Sequence, residues 1–415
     1  MASTTFDYKV RDKDGRLVSG QLEGTNLAFV AAKLRDMGLA PVEIKPVKGV
    51  NFKTDINIPG LSDRVKMKEV ALMSRQLATM VAAGLSLVRS LGVLADQIES
   101  KPLREAMIQV RSDVEQGTLL SAALERLPKI FPPLYISMVK AGEVGGSLDL
   151  VLLKLSTTLE GQVALRAKVR SAMAYPAIVM CLVVVIVTAL MIFVVPIFKK
   201  LFASLGAKLP LPTLIVVKVS NIVASVYLVV VIVAVIVMIV LFKKWIATPG
   251  GRLIWDRLKL KPPIFGPLMH KVALTRFTST LASLLTAGVP IIESLEIVAS
   301  NSGNEIVANA VRGAQEGVRQ GQTLSSTLAQ YDVMPMMVTQ MIETGEESGA
   351  LDEMLDKVAE FYDNEVNTTI QSLTSVLEPL LIVTMGACIG FIVVAMYLPM
   401  FNIYAIIQKN GSKAG

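Results

Sequence analysis

Three long uncharged runs stand out along the chain: Ala172 to Phe198, Val219 to Phe242 and Pro379 to Gln408. Each exceeds the roughly 20 residues that carry a helix across a bilayer. Stretches such as LVVVIVTALMIFVV and YLVVVIVAVIVMIVLF show no polar face, which argues against buried helices of a soluble core. The pattern predicts three transmembrane helices, over 172–198, 219–242 and 379–400. Residues 199–218 and 401–415 then fall in an outer loop and an outer tail.

Elsewhere the apolar positions recur at helical spacing. Val70, Met73, Leu77, Met80 and Val81 form one stripe, and Leu87, Leu91, Leu94 and Ile98 form the next. Breaks are expected at Gly84, Pro102, Gly117, Pro132 and Gly142, which gives about six helices over 67–170. The last of these is expected to start at Ser147, as N-cap, and to run through Leu159 towards the first span. Residues 1–45 read differently. TFDYKV alternates, Asp14-Gly15 supplies a turn, RLVSGQLEG follows, Asn26 can cap a helix ending at Gly38, and APVEIK is a third strand. This predicts a small ββαβ unit, joined by a linker at 46–66.

The chain also repeats itself. At a shift of 204 residues, Leu77, Ala78, Ala83, Gly84, Ser90 and Leu91 match Leu281, Ala282, Ala287, Gly288, Ser294 and Leu295. Gln116, Gly117, Leu120, Ser121 and Leu124 likewise match Gln320, Gly321, Leu324, Ser325 and Leu328. After a one-residue gap the shift is 203, and Gly142, Glu143, Gly146, Leu148 and Asp149 match Gly345, Glu346, Gly349, Leu351 and Asp352. Pro176 and Pro196 match Pro379 and Pro399. Each repeat is therefore a helical bundle followed by one span, with the second bundle at 277–378. The middle span has no counterpart. It reverses the chain and so brings both bundles to one side.

Charge supports that side being the cytosol. Residues 243–276, a connector, hold eight basic residues against Asp256 alone, whereas the loop before the middle span holds four lysines. The start of the chain is polar and charged and resembles no signal peptide, which predicts a cytosolic N-terminus and an external C-terminus. The bundles differ in charge. Residues 67–165 are balanced at ten basic and ten acidic, while 277–378 hold three basic and fifteen acidic residues. The second bundle is expected to dock a basic surface, on a partner or on 243–276, and the first to self-associate.

Catalytic chemistry finds little support. His270 is the only histidine and reads as a packed or interfacial residue. Cys181 and Cys388 lie inside the apolar runs, with no metal-site spacing and no disulfide framework. There is no phosphate-cradling glycine loop, so no cofactor, metal or catalytic residue is expected. The spans lack the ionisable groups that pumps and transporters carry; Glu378 beside Pro379 reads as interfacial. Gly386 and Gly390 form a GxxxG that suits close helix approach, and Pro176 and Pro379 sit at matching span starts. The paired turns GEVGGSLD (142–149) and GEESGALD (345–352) punctuate helices through their glycines. The role of Glu143 and Glu346 stays open between a capping interaction and contact with a partner. Gly142, Asp149, Gly345 and Asp352 complete this candidate set.

These repeated stretches, SRQLATMVAAGLSLVRSL, QGTLLSAAL and FPPLYISMVKAGEVGGSLD with LASLLTAGVPIIESL, QGQTLSSTL and MIETGEESGALDEML, resemble the inner-membrane platform proteins of type IV pili and type II secretion systems, the PilC/GspF family. The resemblance covers about 67–405 and is weaker over 1–45. It implies an all-α membrane protein with two tandem cytoplasmic bundles, three spans and a small N-terminal α+β unit. It implies a non-enzymatic role coupling a hexameric ATPase to assembly or disassembly of pilin or pseudopilin subunits, alongside other inner-membrane pilus components. It further implies a homo-oligomer that binds no nucleic acid. A membrane scaffold or sensor unrelated to filaments is the alternative. A transporter fits less well, because the repeat is direct and the spans are apolar.

Overall fold

The computed structural model describes residues 4–11, 17–24, 27–38, 40–46, 65–204, 209–223, 225, 227–263 and 265–411. It divides into two compact units, residues 1–64 and 65–415.

In the first unit, strands β1 (Thr4–Arg11), β2 (Leu17–Gly24) and β3 (Ala40–Pro46) form an antiparallel sheet of order β2-β1-β3. Helix α1 (Leu27–Asp36) closes one face, and Phe6, Val10, Val30 and Leu34 form the core. The Asp14-Gly15 turn, the Asn26 cap and most of the 46–66 linker lie outside the described residues.

The second unit opens with helices α2 (Met67–Ala82), α3 (Leu87–Gln97), α4 (Lys101–Glu115), α5 (Leu120–Glu125), α6 (Pro133–Gly145) and α7 (Leu148–Ala189). The apolar stripes face inward: Val70, Met73, Leu77, Leu91 and Leu94 are buried. Gly84 and Gly117 stop their helices with positive φ, a conformation that costs glycine little. Pro102 stands in the first turn of α4 rather than at a break, where its missing N–H costs nothing. Gly142 does not end α6; the helix runs one turn further to Gly146, whose left-handed backbone is the stop. Ser147 sits at the N-cap of α7, but its side chain caps nothing.

Helix α7 passes through a π turn at Leu190–Val194 into α8 (Val195–Ser204), giving 57 continuous helical residues from Leu148 to Ser204. Part of the expected 199–218 loop is thus helical: α8 reaches Ser204, and α9 (Leu211–Val223) follows. The short apolar α9 buries Val216 and Val217 against Met191, Val195, Ile392 and Met396. The expected 219–242 span is likewise not one helix. The chain breaks after Val223, and the long apolar helix is α10 (Tyr227–Ile246).

The 243–276 connector is also built differently from expectation. Beyond α10 the chain turns by 102° into α11 (Pro249–Leu260), and α12 (Gly266–Thr286) opens the second bundle well before 277. Leu268, Ala273 and Leu274 of α12 are already buried, which explains the earlier start. Helices α13 (Ile291–Asn301), α14 (Glu305–Arg319), α15 (Leu324–Leu328), α16 (Met336–Ser348) and α17 (Leu351–Gly411) complete the unit. Helix α17 runs unbroken for 61 residues through Pro379 and Pro399, into the segment expected as a tail. Two helical stretches, within Leu148–Ser204 and Leu351–Phe401, are long and apolar enough to cross a membrane, and the bent α10–α11 pair makes up to three.

Both bundles contribute to one hydrophobic cluster, from Val70 through Leu159 to Tyr362. Helices α7 and α17 run in the same direction: Lys154 meets Asp356 near the bundles, and Met191 and Val195 share a cluster with Ile392 and Met396 at the far end. The two bundles therefore lie at the same end of this pair.

Candidate functional site

The paired turn is built alike in both repeats. In the first, α6 and α7 fold back on each other at Gly146, whose N–H, with that of Ser147, donates to the Gly142 carbonyl. Gly142 lies where the two helices touch. A Cβ there would stand 3.0 Å from Val151 Cβ and 3.2 Å from Leu148 Cα. The equivalent Cβ on Gly345 would be 2.8 Å from Leu351 Cα, so the second crossing is tighter. Gly349 takes the left-handed backbone there, and Ala350 N–H donates to Gly345 O.

This hairpin aims a carboxylate at a third helix. Glu143 of α6 accepts from the backbone N–H groups of Leu120 and Ser121 at 2.5 and 3.1 Å and from Ser121 Oγ at 2.5 Å. Those amides are the free donors at the start of α5, where the N-cap residue, Leu119, has no acceptor to offer. Glu346 does the same for α15. It accepts from Leu324 N at 2.6 Å, Ser325 N at 3.0 Å and Ser325 Oγ at 2.6 Å. A negative charge at a helix start is also favoured by the helix dipole. Both glutamates thus have a capping interaction as their observed role. Asp149 and Asp352 occupy the first turns of α7 and α17; Asp149 is exposed, and Asp352 accepts from Thr286 Oγ1 at 3.3 Å.

The acidic second bundle meets bases of its own chain. Lys154 and Lys168 of α7 pair with Asp356 and Asp363 of α17 at 2.6 and 3.0 Å, and Lys271 of α12 pairs with Glu365 at 2.7 Å. Thr158 and Ser283 hydroxyls join the same face at 2.8 Å. The connector is docked as well. Asp256, its lone acid, is buried and accepts from Glu305 N at 2.9 Å and Lys259 Nζ at 2.8 Å, while Arg252 reaches Glu305 at 3.7 Å. Asn304 Oδ1 takes the next two amides of α14, so this helix start is fully capped. The expected docking of acidic bundle on basic connector is thus present in part, with α7 supplying further lysines.

Within the apolar region, Ser220 Oγ donates to Met191 O at 2.5 Å, in the π turn that loosens the local backbone ladder, and Thr213 Oγ1 donates to Ala395 O. Pro176 and Pro379 lie inside α7 and α17. A Cβ on Gly386 or Gly390 would meet nothing within 4 Å, so among the described residues no helix packs on the GxxxG face. Glu378 is exposed beside Pro379. His270 is packed, its Nε2 donating to Val333 O at 2.6 Å. Among the described residues no group of three or more His, Cys, Asp and Glu side chains is placed to hold a metal.

The residues not singled out from sequence are the partners of these contacts. Ser121 and Ser325 carried a signal, since both recur in the repeat together with their glutamates. The Asp256–Glu305 contact, the Ser220–Met191 contact and the lysine–aspartate pairs carried none, because in each the two residues stand 29 or more positions apart.

Comparison with known proteins agrees with this architecture. Residues 73–196 and 277–399 each match the domain described as type II secretion system protein F, and residues 1–45 match that protein's N-terminal domain. The two matched ranges begin 204 residues apart and end 203 apart, as the repeat does. The chain is 44% identical over 400 residues, covering 96% of it and 98% of its relative, to the type IV pilus assembly protein PilC of Thermus thermophilus. It is 38% identical over 407 residues, 98% and 97%, to that of Myxococcus xanthus. It is 32% identical over 414 residues, 97% and 99%, to the type II secretion system protein F of Vibrio cholerae. A chain so built and so matched belongs to the PilC/GspF family, the type II secretion system protein F group of structural platform proteins, and is not an enzyme.

Proposed function

We propose that this chain is the inner-membrane platform of a type IV pilus machine, or of a closely related type II secretion machine. In this reading it couples a hexameric cytoplasmic ATPase to the addition or removal of pilin or pseudopilin subunits, and it works as a homo-oligomer. The N-terminus, both bundles and residues 243–378 face the cytosol, and residues 199–218 and the C-terminal tail at 401–415 face outward. The observation that carries the mechanism is helix continuity. Helix α17 extends without interruption from the acidic bundle face through the apolar region, about 90 Å at 1.5 Å per residue. Helix α7 with α8 does the same beside it. The helices stay continuous from bundle to span, through Pro176 in α7 and Pro379 in α17, so a push on the bundles is passed to the apolar helices.

Affinity capture of the detergent-solubilised full chain tests this reading. A secretion-type ATPase and a prepilin should co-purify, and recovery of neither would overturn it. Orientation is tested with Cys181 and Cys388 replaced and single cysteines placed at Ser204 and Ser300, both exposed. Ser204→Cys should react with an impermeant maleimide outside intact cells and Ser300→Cys should not. The neighbouring Ser302 is buried and makes a poor probe.

A further inference from the structure

Between α7, α11, α12 and the start of α14 lies a cavity of about 300 Å³ whose lining includes Arg166, Arg170, Lys259 and Arg276 and no acidic residue. Lys259 already serves Asp256. The other three make no ion pair or hydrogen bond with any described residue. Arg276 is held in place instead by packing. Its guanidinium lies against Gly303, where a Cβ would stand 2.5 Å from Nη1 and where φ is +75°. On its other side Arg276 lines a second cavity that contains Asp356, Glu360 and Asp363, but the two aspartates are taken by Lys154 and Lys168. Glu360 makes no ion pair with Arg276, and a half-buried arginine beside a second arginine, with no ion pair among the described residues, is an expensive arrangement for a protein to keep empty.

If the apolar runs cross the membrane as proposed, the cavity lies at the level of its surface. Arg170 precedes the uncharged run by two residues, and Arg166 lies about 9 Å from the run's first residue along α7 at 1.5 Å per residue. Met173, inside the run, forms part of the wall. Helix α11, which carries Lys259, leaves α10 at 102° with Ile254 and Leu258 exposed. Trp255 of α11 packs edge-on against Phe242 of α10 with ring centroids 5.0 Å apart, and Trp245 stacks on the same ring. Tryptophan and a helix with an uncovered apolar edge are features of the headgroup layer.

We infer that this cavity binds the phosphate of an anionic phospholipid, held by Arg166, Arg170 and Arg276, with its glycerol and acyl part leaving past Met173 along α7. The arginines give the planar, multidentate donors that phosphate takes, and the apolar wall on the membrane side gives the lipid its exit. Burial, and then the charge of Arg166, pull the Arg276 guanidinium below its ordinary pKa, a strain that a bound phosphate relieves. The site ties the first bundle's exit helix to the connector and to the second bundle. A bound lipid therefore braces the junction where bundles meet membrane. The inference rests on the membrane reading of the apolar helices and not on any filament partner.

The test uses the full chain, delipidated in a neutral detergent. Phosphatidylglycerol should raise its melting temperature and should remain on the chain in native mass spectrometry, while phosphatidylcholine should do neither. Each arginine removed, as Arg166→Gln, Arg170→Gln or Arg276→Gln, should weaken retention about fivefold. Lys129→Gln, at an exposed lysine outside the cavity, should not. If Arg276→Gln fails to fold, Arg170→Gln, on an exposed face of α7, decides the matter. Equal retention of both lipids, or of phosphatidylglycerol by wild type and Arg170→Gln, overturns the site. A melting shift from inorganic phosphate as large as that from phosphatidylglycerol overturns the lipid assignment in favour of a free phosphate. Because no ATPase or pilin enters the assay, failure here leaves the platform reading untouched, and the reverse also holds.

Discussion

Replacing Glu143 by alanine removes one carboxylate and three hydrogen bonds together: those from Leu120 N, Ser121 N and Ser121 Oγ. Hydrogen bonds to a charged group are worth about 1.5–3 kcal/mol each, but water reaches part of this site and replaces some of them. A lost N-cap alone costs about 1 kcal/mol. The expected loss for Glu143→Ala is therefore about 2–3 kcal/mol. The same change at Glu346 should cost less, about 1–2 kcal/mol, because α15 keeps a cap of its own: Thr323 Oγ1 accepts from Ser326 N. At about 2–4 °C per kcal/mol, Glu143→Ala should melt about 4–12 °C early in differential scanning fluorimetry. Ser121→Ala should cost about 1 kcal/mol in wild type and little in the Glu143→Ala background, since its acceptor is already gone. Assembly defects should then track the melting temperature. A Glu143→Ala protein that melts within about 1 °C of wild type, yet fails in assembly, would refute the capping role and return the glutamate to a partner surface. A larger shift at Glu346 than at Glu143 would refute the argument from Thr323.

Three further outcomes follow from the packing. Gly345→Ala, whose methyl would meet Leu351 Cα at 2.8 Å, should destabilise by about 1–3 kcal/mol in thermal unfolding, while Gly386→Ala and Gly390→Ala, facing open space, should leave the melting temperature of the dispersed monomer unchanged. Tyr135 is buried beside Ser74, and burial pushes its phenol from 10.0 up to about 12. Its folded pKa lies above the unfolded one, so its contribution is whole below pH 10 and is lost as pH rises towards 12. Tyr135→Phe should flatten that part of an alkaline unfolding curve. Asp256→Ala strands the Glu305 N–H and frees Lys259, and should cost about 1–3 kcal/mol and expose the α11–α14 face to faster hydrogen exchange.

Properties that depend on near neighbours were readable from the chain. The apolar stripes of α2 and α3, the stops at Gly84 and Gly117, the repeat and the two long apolar helices all reflect spacings of a few residues or an identity of pattern. Helix period, turn chemistry and bilayer thickness act locally, so residue order suffices to reveal them. Where local cues competed, they misled. Gly142 looks like a helix stop, yet it is kept small for the approach of Val151, and the stop falls on Gly146. Ser147 looks like a cap and caps nothing, while the start of α5 is capped by Glu143 from another helix. The run 219–242 looks like one span, but its first residues belong to α9, whose Ser220 turns inward to satisfy Met191. Asp256 looks like an exception in a basic connector and is the residue that anchors it. In each case the deciding partner sits on another helix, so only the packed helices bring the two groups within reach. Sequence alone determined which segments are apolar and which are repeated. Tertiary structure decided which donors meet which acceptors, because a hydrogen bond depends on positions in space that no local pattern encodes.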